Sequence, residues 1–375
     1  MKRYLHDFIA KDLNKKLVLL TGPRQVGKTW LSKSLFPHDI TTYLNFDRSS
    51  DRKVIVSETW SRDSELVIFD EIHKMRGWKS WAKGIYDTEG VRPRMLLTGS
   101  ARLDVARRSG NESLAGRHHL YRLHPLSVRE LKAELPPDEA LDRLLRRGGF
   151  PEPFFAGSDT DAQRWRLTHL DSMLREDLRD LVVIQDIKSL EYLVDRLAAQ
   201  VGSPISYQSL AEDVGVSAPT IKRWIETLAS IYVIFLVSPW SRKVKGSLLK
   251  QPKVYFHDTA RIPENLESAR FENLVACSLL KHQQYREDTQ GVRGSLHYLR
   301  NKQGKEVDFL LVEKSTPELM VECKLSPSDD VNFEKFKTVN PNQRPILLSR
   351  HSGRELSHKD WDVKNAASWL ADLEA

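Results

Sequence analysis

The sequence predicts an α/β protein with more than one domain, and three observations carry that reading. In the first third, short apolar runs alternate with helical patterns, as a parallel sheet with crossover helices requires. From Pro125 to about Ser203 the periodicity turns helical, and a helix-turn-helix pattern follows it. From about Gln251 strand-like and helical segments alternate again to the end of the chain. A length of 375 residues accommodates two or three separate cores.

Composition narrows the class. Lys and Arg number 58 against 51 Asp and Glu, for a net charge of +7, which suits a polyanionic partner without demanding one. The two cysteines, Cys277 and Cys323, lie in apolar runs and lack metal-ligand spacing, so no zinc site or disulfide framework is implied. The first sixteen residues carry acids and no long apolar core, unlike a signal peptide. No apolar stretch reaches the roughly 20 residues of a membrane span. The expectation is a soluble cytoplasmic protein with no membrane partner.

In the first block the expected strands are LVLL (Leu17 to Leu20), TTYLNF (Thr41 to Phe46), LVIF (Leu66 to Phe69) and RMLLTG (Arg94 to Gly99). Between the first strand and an amphipathic helix stands Gly22-Pro23-Arg24-Gln25-Val26-Gly27-Lys28-Thr29, which has phosphate-binding-loop spacing in the required context. Its backbone N–H groups would wrap the phosphates of ATP, Lys28 would reach the β and γ phosphates, and Thr29 would ligate Mg²⁺. LVIFDEIHK then ends a strand in two carboxylates. Asp70 would hold the magnesium shell, and Glu71 would orient or deprotonate the attacking water.

Two further positions have two readings each. Ser100, and with less weight Thr98, would sense the γ phosphate or simply cap the next helix. Arg117, in the polar turn NESLAGRHH, would reach a neighbouring subunit's nucleotide as an arginine finger or remain a surface arginine.

The segment from Ser206 to Trp240 reads as a helix, a tight turn at Gly215 and a second helix capped by Ser217. Leu210, Ala211, Val214, Val216, Ile221, Ile225 and Leu228 occupy the packing positions. The outer face of the second helix offers Thr220, Lys222 and Arg223 to DNA. YVIFLVSPW and the basic stretch from Ser241 to Lys253, with Arg242, Lys243 and Lys245, then read as the strand and wing of a winged helix, or as a linker. Winged helices also serve as protein spacers, so DNA contact and a spacer role both stand.

The string GPRQVGKT, LVIFDEIHK, LLTGSA, SLAGR, PLSVREL and GGFPEP resembles the prokaryotic AAA+-like ATPases that carry an uncharacterised C-terminal domain. In that family the C-terminal region is similar to the PD-(D/E)xK nuclease superfamily. The resemblance implies an ASCE-type P-loop fold, with Gly22 to Thr29 as Walker A and Asp70-Glu71 as Walker B. The resulting expectation is a P-loop AAA+-like parallel-sheet domain over 1–135 and a helical lid over 136–203. A winged helix-turn-helix over 204–250 and a restriction-endonuclease-like α/β domain over 251–375 would follow. GGFPEP (Gly148 to Pro153) reads as a turn packing the lid.

The nuclease-like reading rests on VDFLLVEKSTPELMVECKL, two apolar strands around a turn. A turn centred on Ser315 sets Asp308 opposite Glu322, and alternation puts Glu322 and Lys324 on one face. Asp308 and Glu322 would bind Mg²⁺, Lys324 would orient water or offset developing charge, and Glu272 on the preceding helix would add a metal contact. Val307 stands where the superfamily has its proline. The other reading is an inactive core that keeps its carboxylates as scaffold.

The residues leave three functions open. ATP cycling would control a Mg²⁺-dependent nuclease acting on DNA. Alternatively, a homo-oligomer such as a hexameric ring would remodel DNA with a C-terminal domain that binds but does not cut. The third is an ATP-gated protein regulator without nucleic acid.

Overall fold

The computed structural model describes residues 1–99, 114–177, 187–241, 251–352 and 355–375. The chain divides into two compact units, Met1–His124 and Pro125–Ala375. Ser100, Arg242, Lys243 and Lys245 lie outside the described residues.

In the first unit, helix α1 (His6–Asp12) precedes strand β1 (Leu17–Thr21), and α2 (Lys28–Ser34) follows the loop after it. The chain continues through β2 (Thr41–Asn45), α3 (Ser49–Ser57), β3 (Leu66–Asp70), α4 (Trp78–Glu89), β4 (Arg94–Thr98) and β5 (His118–Arg122). The strands form one five-stranded sheet in the order β2-β3-β4-β1-β5, and every pair is parallel. β1, β3 and β4 are buried at every position, which explains why they read as unbroken apolar runs rather than as alternating ones. Beneath β3, Trp60, Phe69 and Trp81 meet edge to face with centroids 5.0 to 5.9 Å apart.

β5 carries no apolar run, so its sequence, HHLYR, has no strand signal. It is an edge strand whose register comes from β1, Leu17 facing His118 and Thr21 facing Arg122. Because all five strands run the same way, their carboxyl ends gather at one edge. That edge is where ligands bind in open α/β sheets.

In the second unit, α5 (Pro137–Arg147), α6 (Asp159–Ser172) and α7 (Ile187–Ala199) precede the helix pair α8 (Tyr207–Val214) and α9 (Ala218–Ser230). Of the packing residues expected between that pair, Leu210, Ala211, Ile221, Ile225 and Leu228 are buried, while Val214 and Val216 are only half-buried. Ser217 Oγ accepts from the Thr220 backbone N–H at 3.3 Å. Strands β6 (Ile234–Pro239) and β7 (Lys253–Phe256) then pair antiparallel. After α10 (Glu267–Gln290) come β8 (Gly294–Arg300), β9 (Glu306–Glu313), β10 (Thr316–Lys324), β11 (Ile346–Ser349), β12 (Leu356–Ser357), β13 (Asp362–Asn365) and α11 (Ala366–Ala371). All these strands join one mixed sheet of eight, ordered β12-β13-β11-β10-β9-β8-β6-β7. The β6–β7 ribbon is therefore continuous with the C-terminal sheet.

The β9–β10 hairpin keeps the predicted register by an indirect route. Its tip is a two-residue turn, with Lys314 and Ser315 both at positive φ as a type I′ turn needs. That turn alone would set the pairing one residue off. A register shift between Pro317 and Leu319 restores it, so Val321 faces Phe309, and one residue further on the Asp308 N–H reaches Glu322 Oε2 at 3.4 Å.

Two motifs without evident chemistry act as packing devices. In PLSVREL, Glu130 is buried with Lys281 of α10, each side chain 2% exposed, at 2.7 Å. Lys281 Nζ also donates to Pro125 O and Ser127 Oγ. In GGFPEP, Gly148 has φ of +80°, and a Cβ there would lie 2.1 Å from Asp258 Oδ1. The motif thus packs on the turn after β7, where Arg166 Nε meets Asp258 Oδ2 at 3.0 Å, as well as among the helices.

Removing one partner of a buried ion pair strands the other. Lys281→Ala should therefore lose about 3–5 kcal/mol of unfolding free energy in denaturant titration. Lys281→Met combined with Glu130→Met should recover most of that loss. A single Lys281→Ala variant within ~1 kcal/mol of wild type would show that the pair does not anchor this segment.

Candidate functional site

The loop between β1 and α2 is shaped by close approach. Leu123 N–H donates to Thr21 O at 2.8 Å, drawing the end of β5 against the start of the loop. Gly22 has φ of +147°, and a Cβ there would fall 2.3 Å from Leu123 O, so no other residue fits without displacing backbone. Gly27, also at positive φ, turns the chain into α2 and leaves Lys28 as its first residue. Lys28 is buried, and its Nζ donates to Gly22 O at 3.0 Å and Pro23 O at 2.7 Å. The ammonium is thereby folded back onto the loop that would hold phosphate.

Asp70 ends β3 as the hub of this edge. Thr29 Oγ1 donates to Asp70 Oδ2 at 2.9 Å, and Tyr43 OH donates to the same oxygen at 2.6 Å. Thr98 Oγ1 donates to Asp70 Oδ1. Thr29 and Asp70, expected to share a magnesium ion, are thus already in contact, and their oxygen donors fit a hard divalent cation. Thr98 spends its hydroxyl on Asp70 rather than pointing it toward a γ phosphate.

Glu71 follows with φ of +56°. Its Oε2 is buried without a hydrogen-bond donor, 3.6 Å from Lys74 Nζ and 3.8 Å from His73 Nε2. Burial pushes its carboxyl above the usual range, while Lys28 and Lys74 draw it partly back. A desolvated carboxylate with an unused oxygen, next to the Asp70 hub, can accept a proton from water.

The sequence does not single out Tyr43, although its strand is legible. β2 pairs with β3 so that Asn45 faces Asp70 and Tyr43 faces Ile68. The alternation that puts Tyr43 and Asn45 on one face is the available signal. Asn45 Nδ2 donates to Tyr43 OH at 3.3 Å, and Lys33 Nζ sits 3.8 Å from the ring centroid. The phenol is thus held on both sides while it orients Asp70.

Arg117 lies immediately before β5, where Leu17 N–H donates to its carbonyl. It is therefore at the amino end of the parallel strands, roughly 16 Å from the phosphate loop across the length of a five-residue strand. Its Nε and Nη2 engage Asp87 Oδ1 and Oδ2 at 2.6 and 3.1 Å. Arg117 is therefore set at the edge of the sheet opposite the phosphate loop of its own chain.

In the second unit the acidic hairpin has an unexpected centre. Lys253, placed by the sequence in the basic wing or linker, is instead the buried first residue of β7. Its side chain is 2% exposed, with Nζ 3.3 Å from Glu306 Oε2, 3.5 Å from Glu272 Oε1 and 3.6 Å from Asp308 Oδ1. Burial would lower the lysine pKa, yet Glu272, Asp308 and Glu306 together raise it well above the ordinary value. Neither Lys253 nor Glu306 stands out in the sequence, because a single charge at a strand end usually marks a solvated edge.

The expected metal ligands are otherwise engaged. Asp308 Oδ2 accepts from the Cys323 backbone N–H at 2.9 Å, and its Oδ1 faces Lys253. Glu322 pairs with Lys324 through Oε1 at 3.3 Å, and its Oε2 accepts from the Asp308 N–H at 3.4 Å. Glu272 Oε1 accepts from Tyr255 OH at 2.7 Å. Burial and the nearby Asp308 push both Glu272 and Glu322 above the usual carboxylate range. Among the described residues no group of three or more His, Cys, Asp and Glu side chains could hold a metal ion. Asp308, Glu322 and Glu272, expected from the hairpin motif to share a magnesium ion, are here each engaged by protein donors instead.

On α9, Lys222 and Arg223 are exposed and Thr220 is half-buried. Lys222 lies at 4.0 Å from Glu226, one turn along.

Removing the Tyr43 hydroxyl leaves the fold of β2 intact and takes one donor from the Asp70 hub. Outer-shell partners of this kind change metal affinity about 10–100-fold. Tyr43→Phe should raise the Mg²⁺ concentration that supports half-maximal nucleotide turnover about tenfold or more. An unchanged Mg²⁺ dependence would reduce Tyr43 to packing.

Comparison with known proteins fits this geometry. Residues 14–132 match a family model described as an AAA domain. Residues 138–263 and 267–364 match two further models, each described as a domain of unknown function. An uncharacterized protein of Mycobacterium tuberculosis is 30% identical over 249 residues, 65% of this chain and 54% of the relative, so the chain spans about half of that relative's length. An uncharacterized protein of Haemophilus influenzae is 22% identical, covering 98% of each chain. Among solved structures, a Walker-type ATPase of Pyrococcus abyssi is 15% identical over 70% of this chain and 96% of its own, with a TM-score of 0.42. No helix among the described residues is long and apolar enough to cross a membrane. The AAA-domain match, over a parallel sheet whose carboxyl edge carries the phosphate loop and Asp70-Glu71, supports an AAA+-like ATPase in the first unit.

Proposed function

We propose that this chain binds Mg²⁺–ATP and hydrolyses it at the carboxyl edge of the first unit's sheet, using the cycle to change its grip on DNA. The observation that carries the catalytic half is the Asp70 hub, with Thr29 on one oxygen and Thr98 on the other, beside a half-buried Glu71 whose enclosed Oε2 accepts no hydrogen bond. The loop from Gly22 through Pro23, Arg24, Gln25, Val26 and Gly27 would present backbone N–H groups to the phosphates. Lys28 would leave the two carbonyls it now contacts and turn to the β and γ phosphates. Thr29 and Asp70 would hold Mg²⁺, which would neutralise charge developing on the phosphates. Glu71 would take the proton of the attacking water.

In this reading the protein works as a homo-oligomer, and Arg117 completes the site of the next subunit after releasing Asp87. Its distance from its own phosphate loop leaves a neighbour's nucleotide as the one it could reach.

DNA is the partner suggested by the charge balance and by the second helix of the pair, where Lys222, Arg223 and Thr220 would meet phosphates or base edges. Arg242, Lys243 and Lys245, which follow β6 in the sequence, would add phosphate contacts. Metal-dependent cleavage is not part of this reading, because the carboxylates of the hairpin are occupied by protein donors. The second unit would engage DNA without cutting it.

Lys28→Ala should abolish ATP binding, whereas Glu71→Gln should bind ATP and turn it over about 100-fold more slowly, or worse. The raised Glu71 pKa also fixes the sign of a pH effect. Only the ionised carboxylate accepts a proton, so wild-type turnover should fall on acidification beginning above the ordinary carboxylate range, a limb that Glu71→Gln lacks. Mixing Arg117→Ala with Lys28→Ala chains should restore turnover, each supplying what the other lacks. Full activity in Glu71→Gln, or no restoration in assembled mixtures, would remove these roles one at a time.

Changing Lys222 and Arg223 together to alanine should weaken DNA binding and flatten the slope of log K against log salt, by about 0.9 for each phosphate no longer neutralised. Identical titrations at several salt concentrations would favour a spacer role for the helix pair.

A further inference from the structure

The acid cluster of the second unit has no role in the proposed ATP cycle. Four carboxylates, those of Glu272, Glu306, Asp308 and Glu322, converge from one helix and two strands. Glu322 is buried and the other three are largely withdrawn from solvent, and carboxylates gathered in this way repel unless a cation lies among them. Nuclease-like cores meet that need with a metal ion.

Here the need is met by a side chain. Lys253 Nζ is within 3.3 to 3.6 Å of three of the four carboxylates. An ammonium has three N–H groups and no acceptor, so one Lys matches one oxygen from each of three acids. Tyr298 closes the nest, its ring centroid 5.3 Å from the nitrogen. The fourth acid, Glu322, is left to Lys324. The remaining oxygens are also engaged: Glu306 Oε1 by Arg300 at 2.7 Å, Asp308 Oδ2 by the Cys323 N–H, and Glu322 Oε2 by the Asp308 N–H. The Glu272 carboxylate lies against Gly202, where a Cβ would come 2.9 Å from Oε1 and 3.1 Å from Oε2.

A magnesium ion needs near-octahedral oxygen ligands at about 2.1 Å, several of them from waters. No two of these four carboxylates present unengaged oxygens to a common point, and the position between them holds a protein nitrogen that solvent does not reach.

We infer that the nest formed by Glu272, Glu306 and Asp308 is a cation site whose occupant is the ammonium of Lys253, a built-in replacement for the divalent ion that the hairpin motif suggests. The lysine comes from β7, which the sheet draws in from the helix-pair side, so the replacement also fastens that ribbon to α10 and β9. One consequence is specific to this arrangement. Take the ammonium away, and the same oxygens become a vacant, acidic, oxygen-lined pocket suited to a hard divalent cation.

The test uses Mn²⁺ as the probe and the nucleotide-free full-length chain. Free and bound Mn²⁺ are read by electron paramagnetic resonance across a titration. The signal that matters is the part that disappears when Asp308→Asn is introduced, which separates this nest from weak binding at Thr29 and Asp70. Wild type should show no Asp308-dependent site. Lys253→Met, which keeps an unbranched apolar stem and removes the charge, should gain one, at least tenfold tighter than any residual wild-type binding, and Lys253→Met with Asp308→Asn should lose it again. Folding of each variant is checked by a melting curve, and Mn²⁺ should raise the melting temperature of Lys253→Met but not of wild type. An Asp308-dependent Mn²⁺ site in wild type overturns the inference outright. So does a folded Lys253→Met that gains no site. If Lys253→Met does not fold, the comparison of wild type with Asp308→Asn still decides. The inference does not depend on whether the chain binds DNA or hydrolyses ATP.

Discussion

The ammonium of Lys253 is the constraint on which the second unit depends. A charge this deeply buried persists only where opposite charge surrounds it. The surrounding acids come from α10 and β9, while the lysine comes from β7, so a single nitrogen fixes three elements at once. The β6–β7 ribbon cannot leave the sheet without exposing three carboxylates to one another. This explains why a segment that follows a helix pair becomes the edge of an eight-stranded sheet rather than an independent wing. Glu130 and Lys281 repeat the device nearer the start of the unit, tying PLSVREL to α10. Buried ion pairs are poor sources of net stability but strict about geometry, since any misplacement strands a charge.

The first unit solves a different problem with different chemistry. The central strands of its sheet are mainly apolar, and the polar groups of the candidate site collect where the strands end. Three hydroxyls, from Thr29, Tyr43 and Thr98, converge on the one carboxylate of Asp70. Hydroxyl donors hold a carboxylate in place without neutralising it, so the negative charge remains for a metal. Where lysine cancels the acids of the second unit, hydroxyls conserve the acid of the first. The same residue type, a strand-end carboxylate, is thereby kept available in one place and withdrawn in another.

Much of this was legible in the linear sequence, for reasons that lie in local chemistry. The phosphate loop needs glycines at fixed spacing between a strand and a helix, and all of these are sequence-local. Three of the first unit's five strands, β1, β3 and β4, were visible because burial on both faces makes them largely apolar runs, and β2 was visible from its β-branched and aromatic residues. The hairpin register was legible because side chains alternate strictly, although the route to it was not. The sequence placed the turn's centre on Ser315, whereas a tight Lys314-Ser315 turn and a bulge before Leu319 share the task. β5 was invisible because an edge strand takes its order from its neighbour rather than from its own side chains.

The sequence by itself determined the strand-and-helix alternation, the phosphate loop, the Asp70-Glu71 pair and the facing of Asp308 by Glu322. Each depends on residues close together in the chain or on one strand's periodicity. Only the tertiary structure decided what those carboxylates do, because that depends on which charges arrive from elsewhere. Tyr43 reaches Asp70 across 27 positions and Lys253 reaches Asp308 across 55. A motif specifies which acids converge. Whether a cation site stays open is set by the long-range packing that brings, or withholds, a lysine.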